Sequence, residues 1–182
     1  MKIKLRSIVF LTLLVVIAGC NNKQGEEKVS EKTKSGLSAT DFQTDIDGDS
    51  TNLYVLTNDN GMEVTITNYG GRIVSVMVPD KDGNFKDIVL GFDNIDDYTA
   101  VDNNFGATIG RYGNRIANGK INVYGVEYQL PQNNFGHTLH GGPDGYHNKV
   151  FNVLHSDNKS LVLTYLSADG EEGFPGNLDV KV

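Results

Sequence analysis

Two histidines lie three residues apart in the stretch NNFGHTLHGG, residues 133–142, directly before a pair of glycines. An imidazole can donate a hydrogen bond to an oxygen, or accept one, near neutral pH. Glycine lets the backbone approach a ligand closely. His137 and His140 could therefore ligate a metal, act as acid/base groups, contact a sugar, or simply belong to a turn. The stretch alone does not decide among these four interpretations.

A second candidate is the segment GRYGNRI, residues 110–116, which sets Arg111, Asn114 and Arg115 among glycines. Arginine offers a rigid fork of donors, and asparagine offers both a donor and an acceptor. Neighbouring hydroxyl groups of a sugar need that mixture. A charged loop tied to nearby carboxylates is an equally good interpretation of these residues.

Carboxylates are grouped in SADGEEGFPGNL, residues 167–178, where Asp169, Glu171 and Glu172 could supply a general acid and base. Adjacent residues on a turn rich in Gly and Pro usually point apart into solvent, so the sequence favours a structural turn.

The acidic stretch DIDGD, residues 45–49, begins like a calcium loop, but its glycine is fourth and the twelfth residue is Leu56. A solvated hairpin turn is the better interpretation. The four histidines lack a helix to align them and lack Cys or carboxylate partners at a familiar zinc spacing. No metal site is therefore predicted.

Short alternating segments rich in Val, Ile and Thr must position these residues, and Gly, Asn and Asp turns separate them. This pattern predicts an all-β sandwich or barrel, with at most one helical turn in NIDDYTAV. The predicted strands are residues 53–57, 62–68, 72–78, 87–92, 121–130 (a hairpin turning near Tyr124-Gly125), 149–155, 160–166 and 177–182. Because the last strand ends in mid-pattern, the chain is expected to be the N-terminal part of a longer protein, although a short final strand is also compatible.

The first nineteen residues resemble a secretory signal peptide, with Lys2, Lys4 and Arg6 before a short apolar run. The sequence IAGC that follows resembles the lipobox of bacterial lipoproteins, so Cys20, which is the only cysteine, is the predicted lipidation site. Residues 20–40 are polar and are predicted to form a flexible tether, which leaves a domain at residues 41–182.

The acidic charge of the chain bears on its choice of partner. The chain carries a formal net charge of −7, and loss of the basic signal peptide would make the mature protein more acidic still. This disfavours nucleic acid as a partner and is compatible with an uncharged substrate.

Taken in order, these segments resemble the aldose 1-epimerase (galactose mutarotase) family. The resemblance runs from NGMEVTITNYGGRIVSVMVPDKDGNFKDIVLGF through FGATIGRYGNRIANGKI and TLHGG to SADGEEGFPGNL. It implies a galactose-mutarotase-like antiparallel β-sandwich (supersandwich), incomplete at the C-terminus. It also implies interconversion of the α and β anomers of an aldohexose such as galactose or glucose, by acid/base ring opening without cofactor or metal.

The resemblance assigns sugar binding to Asn114, Arg115 and His140, with His140 also a supporting catalytic residue. His137 and Arg111 are expected to support their loops. The family's principal acid and base, a histidine and a glutamate, lie beyond the point that matches Val182, as does a substrate-binding aspartate. The 182-residue chain alone is therefore expected to be inactive and poorly stable.

The sequence is also compatible with two other hypotheses: a non-catalytic carbohydrate-binding lipoprotein and a structural lipoprotein without a small-molecule site. A relative acting on hexose phosphates is a further alternative, although no cluster of basic residues suited to a phosphate is evident. The predicted anchor places the protein outside the cytoplasm, on the periplasmic side of the outer membrane, with no membrane contact except through the N-terminal lipid.

Overall fold

The computed structural model describes residues 32–182. Antiparallel strands dominate this part of the chain, which confirms the all-β prediction. The strands are β1 (Asp45–Ile46), β2 (Asp49–Ser50), β3 (Leu53–Thr57), β4 (Glu63–Thr67), β5 (Arg72–Pro79), β6 (Phe85–Asp87), β7 (Arg115–Ile116), β8 (Lys120–Val123), β9 (Val126–Gln129), β10 (Thr138–Leu139), β11 (Asn152–Ser156), β12 (Leu161–Ser167) and β13 (Leu178–Lys181), with one α-helix, α1 (Ile95–Ala100).

The largest sheet is the meander β3-β4-β5-β6, in which consecutive strands pair in antiparallel register. Its turns follow the Asn, Asp and Gly clusters between the strands. In the first turn, the side chain of Asn58 accepts hydrogen bonds from the N–H groups of Asn60 and Met62. The second sheet, β11-β12-β13, confirms the predicted pairing and the final strand. The hairpin β8-β9 turns at Tyr124-Gly125, as predicted.

Backbone hydrogen bonds join the two sheets next to the start of β5. The N–H of Gly70 donates to the carbonyl of Lys149 at 2.7 Å, and the N–H of Phe151 donates to the carbonyl of Asn68 at 2.9 Å. The Asn68 side chain is buried and donates to the Phe151 carbonyl at 3.0 Å. These bonds fix the loop before β11 against the meander.

The main apolar core lies between the meander, α1 and the segment before β1. The segment before β1 contributes two buried side chains, Leu37 and Phe42, and the N–H of Lys34 donates to the Glu63 carboxylate at 2.6 Å. The fold therefore begins earlier than the boundary predicted between residues 40 and 41. Leu37 packs into the core, although the polar residues around it in the sequence do not indicate burial. The buried members of this cluster are Leu37, Phe42, Leu53, Tyr69, Val74, Ile95 and Tyr98.

The two faces of β4 are covered unequally. Glu63, Thr65 and Thr67 are buried, whereas Val64 and Ile66 on the other face are only half-buried. An apolar groove of about 300 Å³ opens on that side in the described part of the chain. The residues that line it include Ile66, Ile73, Leu161, Leu163 and Val182.

The strand predicted at residues 87–92 is wrong beyond its first residue. The side chain of Asp87 accepts from the N–H groups of Val76 and Val89, so it occupies a ladder position that a continuing strand would use. Ile88 and Leu90 are consequently exposed.

The helix α1 is longer than the single turn predicted for NIDDYTAV. Asn94 accepts from the N–H of Asp97 at 2.9 Å and donates to its carboxylate at 2.8 Å, which is a reciprocal N-terminal cap. Ile95 and Tyr98 then bury one face of the helix in the core. This cap and the i, i+3 apolar pair stabilise a helix that the acidic composition alone obscures.

The acidic stretch at residues 45–49 forms the turn of the β1-β2 hairpin, as predicted, and the Asp45 carboxylate accepts from the N–H of Gly48. The predicted signal peptide, the lipidation site Cys20 and most of the predicted tether lie outside the described residues. Between residues 32 and 182, no helix has the length and apolar character needed to cross a membrane.

Candidate functional site

A polar cleft of about 310 Å³ opens between three loops: one after α1, one between β9 and β10, and one after β10. Amides, imidazoles and one carboxylate provide most of its chemistry. The lining residues are Asp102, Asn104, Asn133, Asn134, Leu139, His140, Pro143 and His147.

His140 is held in this cleft by the backbone of a single residue. The ring Nδ1 of His140 accepts a hydrogen bond from the backbone N–H of Asn114 at 3.0 Å, and the backbone N–H of His140 donates to the Asn114 carbonyl at 3.0 Å. Because Nδ1 acts as an acceptor, the proton of the neutral ring lies on Nε2. His140 therefore presents a donor to an oxygen atom in the cleft.

The glycine pair after His140 is required by close packing. A side chain at Gly141 would place its Cβ 1.7 Å from the carbonyl oxygen of Gly110, and one at Gly142 would lie 2.1 Å from the Glu172 carboxylate. Both glycines also have positive φ. This packing joins the loop of His140 to the loop that carries the two arginines.

Arg115 begins β7, where it pairs in register with Leu139 of β10, next to His140. Its Nε donates to Asn134 Oδ1 at 3.0 Å and its Nη1 donates to Asn114 Oδ1 at 3.2 Å. Within residues 32–182 its Nη2 makes no hydrogen bond, and the residue is exposed next to Asn134, which lines the cleft. The three predicted sugar-binding residues, Asn114, Arg115 and His140, therefore lie together beside the cleft.

Arg111 has a different position. Its guanidinium donates five hydrogen bonds, all to the turn between β12 and β13. This arrangement agrees with the expected loop-supporting role of Arg111. The acceptors are Ser167 Oγ and the carbonyls of Ser167, Ala168, Pro175 and Gly176.

The two adjacent glutamates of this turn, Glu171 and Glu172, do not point into solvent, contrary to the prediction. Glu171 accepts from the hydroxyls of Tyr165 and Ser167 and lies 3.7 Å from Lys149 Nζ. Glu172 is half-buried against the glycine pair, and burial, followed by the nearby Asp144 charge, raises its pKa. Positive φ at Glu172 turns its side chain inward, so the turn is structural but its two glutamates pack into the fold.

His137 also supports its own loop, as expected. Its Nδ1 accepts from the N–H of Asn118 at 3.0 Å, and its backbone bonds reciprocally with Asn134. Among residues 32–182, no group of three or more His, Cys, Asp or Glu side chains could hold a metal ion.

Sequence reasoning missed several residues of the cleft, namely Asp102, Asn104, Asn133, Asn134 and His147. Asp102 and Asn104 follow α1, whose extent was underestimated, and no local pattern distinguishes them from turn residues. Asn133 and Asn134 belong to the stretch that drew attention to His137 and His140, and their amides were the available signal.

Comparison with known proteins gives a consistent result. The family model described as aldose 1-epimerase matches residues 52–182. The aldose 1-epimerase of Escherichia coli K12 is 34% identical over 136 residues, covering 75% of this chain and 39% of that protein. The galactose mutarotase of Bos taurus is 40% identical over 121 residues, covering 66% of this chain and 35% of that protein.

Two solved structures are similar to the fold. A GalM/aldose epimerase homologue from C. elegans superposes with a TM-score of 0.70 at 31% identity, covering 72% of this chain and 41% of that one. A galactose 1-epimerase from Lactobacillus acidophilus NCFM gives 0.66 at 29% identity, covering 76% and 41%. The galactose-mutarotase-like fold is thus confirmed, and the chain spans about two fifths of the length of these relatives.

Proposed function

The chain belongs to the aldose 1-epimerase family, and we propose that the protein containing it interconverts the α and β anomers of hexopyranoses such as galactose and glucose. The observation that carries this proposal is the joining of His140 and Arg115 through Asn114 at the cleft. The cleft volume of about 310 Å³ falls at the lower end of the range for small-molecule sites.

The reaction needs only proton transfer. One group removes the proton of the C1 hydroxyl while another protonates the ring oxygen, so the C1–O5 bond breaks and an aldehyde forms. Rotation about the C1–C2 bond and the reverse proton transfers close the ring on the other face. No electron acceptor or covalent intermediate is required, so imidazole and carboxylate groups are sufficient.

The described residues suit the binding part of this chemistry. The free Nη2 of Arg115 would donate to hydroxyl oxygens, and the Nε2–H of His140 would donate to an oxygen near C1 as charge develops there. The family's principal acid and base are proposed to come from residues outside the matched segment. This chain then contributes the sugar-holding part of the site.

Polarimetry of freshly dissolved α-D-galactose and α-D-glucose tests the proposal on the intact protein. Acceleration of mutarotation is expected, and His140→Ala should lower kcat/KM by about 10²- to 10³-fold. The matched control is His155→Ala, because His155 is exposed on β11 and its ring bonds, among residues 32–182, only to Asp157.

Two results would contradict the proposal. No acceleration by a folded intact protein that still binds sugar would support the non-catalytic carbohydrate-binding alternative. Equal loss in the two histidine variants would remove His140 from the site.

We also propose that Cys20 carries a lipid that anchors the protein outside the cytoplasm, on the periplasmic side of the outer membrane. The support is the sequence IAGC after an apolar run. Mass spectrometry of the mature N-terminus should find a diacylglyceryl-modified Cys20, and Cys20→Ser should release the protein from the membrane fraction. An unmodified Cys20 in a cleaved protein would contradict the anchor.

A further inference from the structure

His147 lines the same cleft as His140 but has a different environment. It lies in the short turn Tyr146–Asn148 that follows Gly145, and only 4% of its surface is exposed. Its backbone carbonyl accepts a hydrogen bond from the guanidinium of Arg72 at 2.7 Å. The backbone of His147 is therefore held at the cleft wall by a buried guanidinium.

The two nitrogens of this ring are not equivalent. Nδ1 is fully buried and has no hydrogen-bond partner among the described residues, and a Cβ at Gly145 would lie 3.2 Å from it. Nε2 also makes no hydrogen bond within residues 32–182 but is not among the fully buried atoms. Because His147 lines the cleft, Nε2 is the ring nitrogen that is available to a ligand there. A buried polar ring that is left unpaired is costly unless a ligand or water completes it.

The same arginine holds a second segment of the cleft lining. Arg72 is fully buried and donates to Asn103 Oδ1 at 2.7 Å and to the Phe105 carbonyl at 3.2 Å. These bonds hold the loop that presents Asp102 and Asn104 to the cleft. Arg72 thus fixes the backbone of His147 and this polar loop relative to one another.

Burial favours the neutral form of the ring. Burial is the main cause that lowers the pKa of His147, and the positive charge of Arg72 lowers it further, while Asp102 and Asp144 act in the opposite direction. A neutral imidazole can donate or accept at Nε2, which suits a hydroxyl group because a hydroxyl can also do both.

We propose that His147 is a further sugar-contacting residue, whose Nε2 hydrogen-bonds one hydroxyl of the hexose and so contributes to the choice among hexoses. This inference rests on the proposed function, since it takes the ligand of the cleft to be a sugar. The contact is separate from those proposed for His140, which follows β10, and for Arg115, which begins β7.

Paired amide substitutions in the intact protein test which ring nitrogen acts. The amide of Gln extends to the position of Nε2, whereas that of Asn reaches only the position of Nδ1. His147→Gln should keep kcat/KM within about fivefold of the wild type, and His147→Asn should lower it by about tenfold to a hundredfold. Equal losses in the two variants at equal thermal stability would overturn the proposal.

Deoxy sugars identify the hydroxyl. The wild type should lose about tenfold or more in kcat/KM on one member of a series of hexoses that each lack one hydroxyl. His147→Asn should show no further loss on that member and a full loss on the others. The same loss on every sugar would indicate a merely structural role and would overturn the proposal.

Histidine NMR separates this inference from the proposed function. Methyl α-D-galactopyranoside cannot open its ring, so it reports binding without turnover. Its addition to the intact ¹⁵N-histidine-labelled protein should shift the Nε2 resonance of His147 and leave that of His155 unchanged. A shift in a protein without mutarotase activity would refute the proposed function alone, and an unmoved His147 resonance at saturating sugar would refute the contact.

Discussion

Arg111 and Arg115 lie on one loop, four residues apart, and differ in how many of their donors the fold already uses. Arg111 donates five hydrogen bonds, all to the turn between β12 and β13. Arg115 donates two, both to asparagine side chains, of which Asn134 lines the cleft, and its Nη2 makes none with the described residues.

The difference between the two arginines shows which of them can serve a ligand. A guanidinium has five N–H donors, so Arg111 would have to break an existing bond to bind anything else. Arg115 offers unused donors that neighbouring asparagines hold in one orientation, which reduces the entropy lost on binding. Residue type and spacing could not separate these roles, because GRYGNRI places both arginines among glycines.

The largest effect is expected from Arg115→Ala in the intact protein. Without the guanidinium the sugar loses an oriented donor, so kcat/KM should fall by about 10²- to 10³-fold. The free energy of unfolding should change by no more than about 0.5 kcal/mol, because the side chain is exposed. Polarimetry and chemical denaturation measure the two quantities, and a large loss of stability would remove the contrast with Arg111.

Gly141→Ala should break the joint between the two loops. The new Cβ would lie 1.7 Å from the Gly110 carbonyl oxygen, at a φ of +89°. A loss of about 3 to 4 kcal/mol in the free energy of unfolding is expected.

The matched control for this joint is Gly136→Ala, which has a similar φ of +80° but open space around it. Its loss should be about 1 kcal/mol, from the backbone conformation alone. Chemical denaturation of both variants measures the difference, and equal losses would mean that contact with Gly110 is unimportant.

Arg111→Ala should show the reverse of the Arg115 result. Five acceptors lose their donor, and partial hydration should limit the loss to about 2 to 3 kcal/mol in the free energy of unfolding. The kcat of the molecules that remain folded should stay within about tenfold of the wild type. A normal melting temperature together with lost activity would place Arg111 in the site instead.

Much of the fold could be predicted from the sequence because its signals are local. The strands from residue 53 to 79 alternate cleanly and are separated by Asn, Asp and Gly turns, and the structure confirms them. The strand predicted through Phe92 failed because the side chain of Asp87 replaces a backbone partner. The burial of Leu37 depends on a core formed by distant residues, and no local pattern reports it.

The candidate site was predictable only in part. The sequence indicated Asn114, Arg115 and His140 through their resemblance to a family, and the fold places them together. The sequence suggested His147 only as a possible metal ligand. The features that distinguish it in the structure are its burial and the hydrogen bond between its carbonyl and Arg72. Those features arise between residues that are 75 positions apart.

The smallest effect concerns pH. The pKa of His147 is lowered, so between its folded value and the ordinary value of about 6.5 the unfolded chain binds a proton that the folded one does not. This stabilising contribution is complete above pH 6.5 and is lost as the pH falls through that window. His147→Gln should therefore lose less stability than the wild type between pH 7.5 and pH 5.5 in chemical denaturation. Equal losses would show that the ring titrates normally.

His140 is oriented by the N–H and the carbonyl of Asn114, and the side chain of Asn114 contacts Arg115 instead. The residue types that position 114 tolerates are therefore limited mainly by its φ of +64°, which Asn, Asp and Gly adopt most readily. Replacement among these three types would change the hydrogen bond to Arg115 and leave the imidazole of His140 in place. The two halves of the site can consequently diverge one at a time, so a lineage could alter its hold on the ligand without passing through a form whose histidine is displaced.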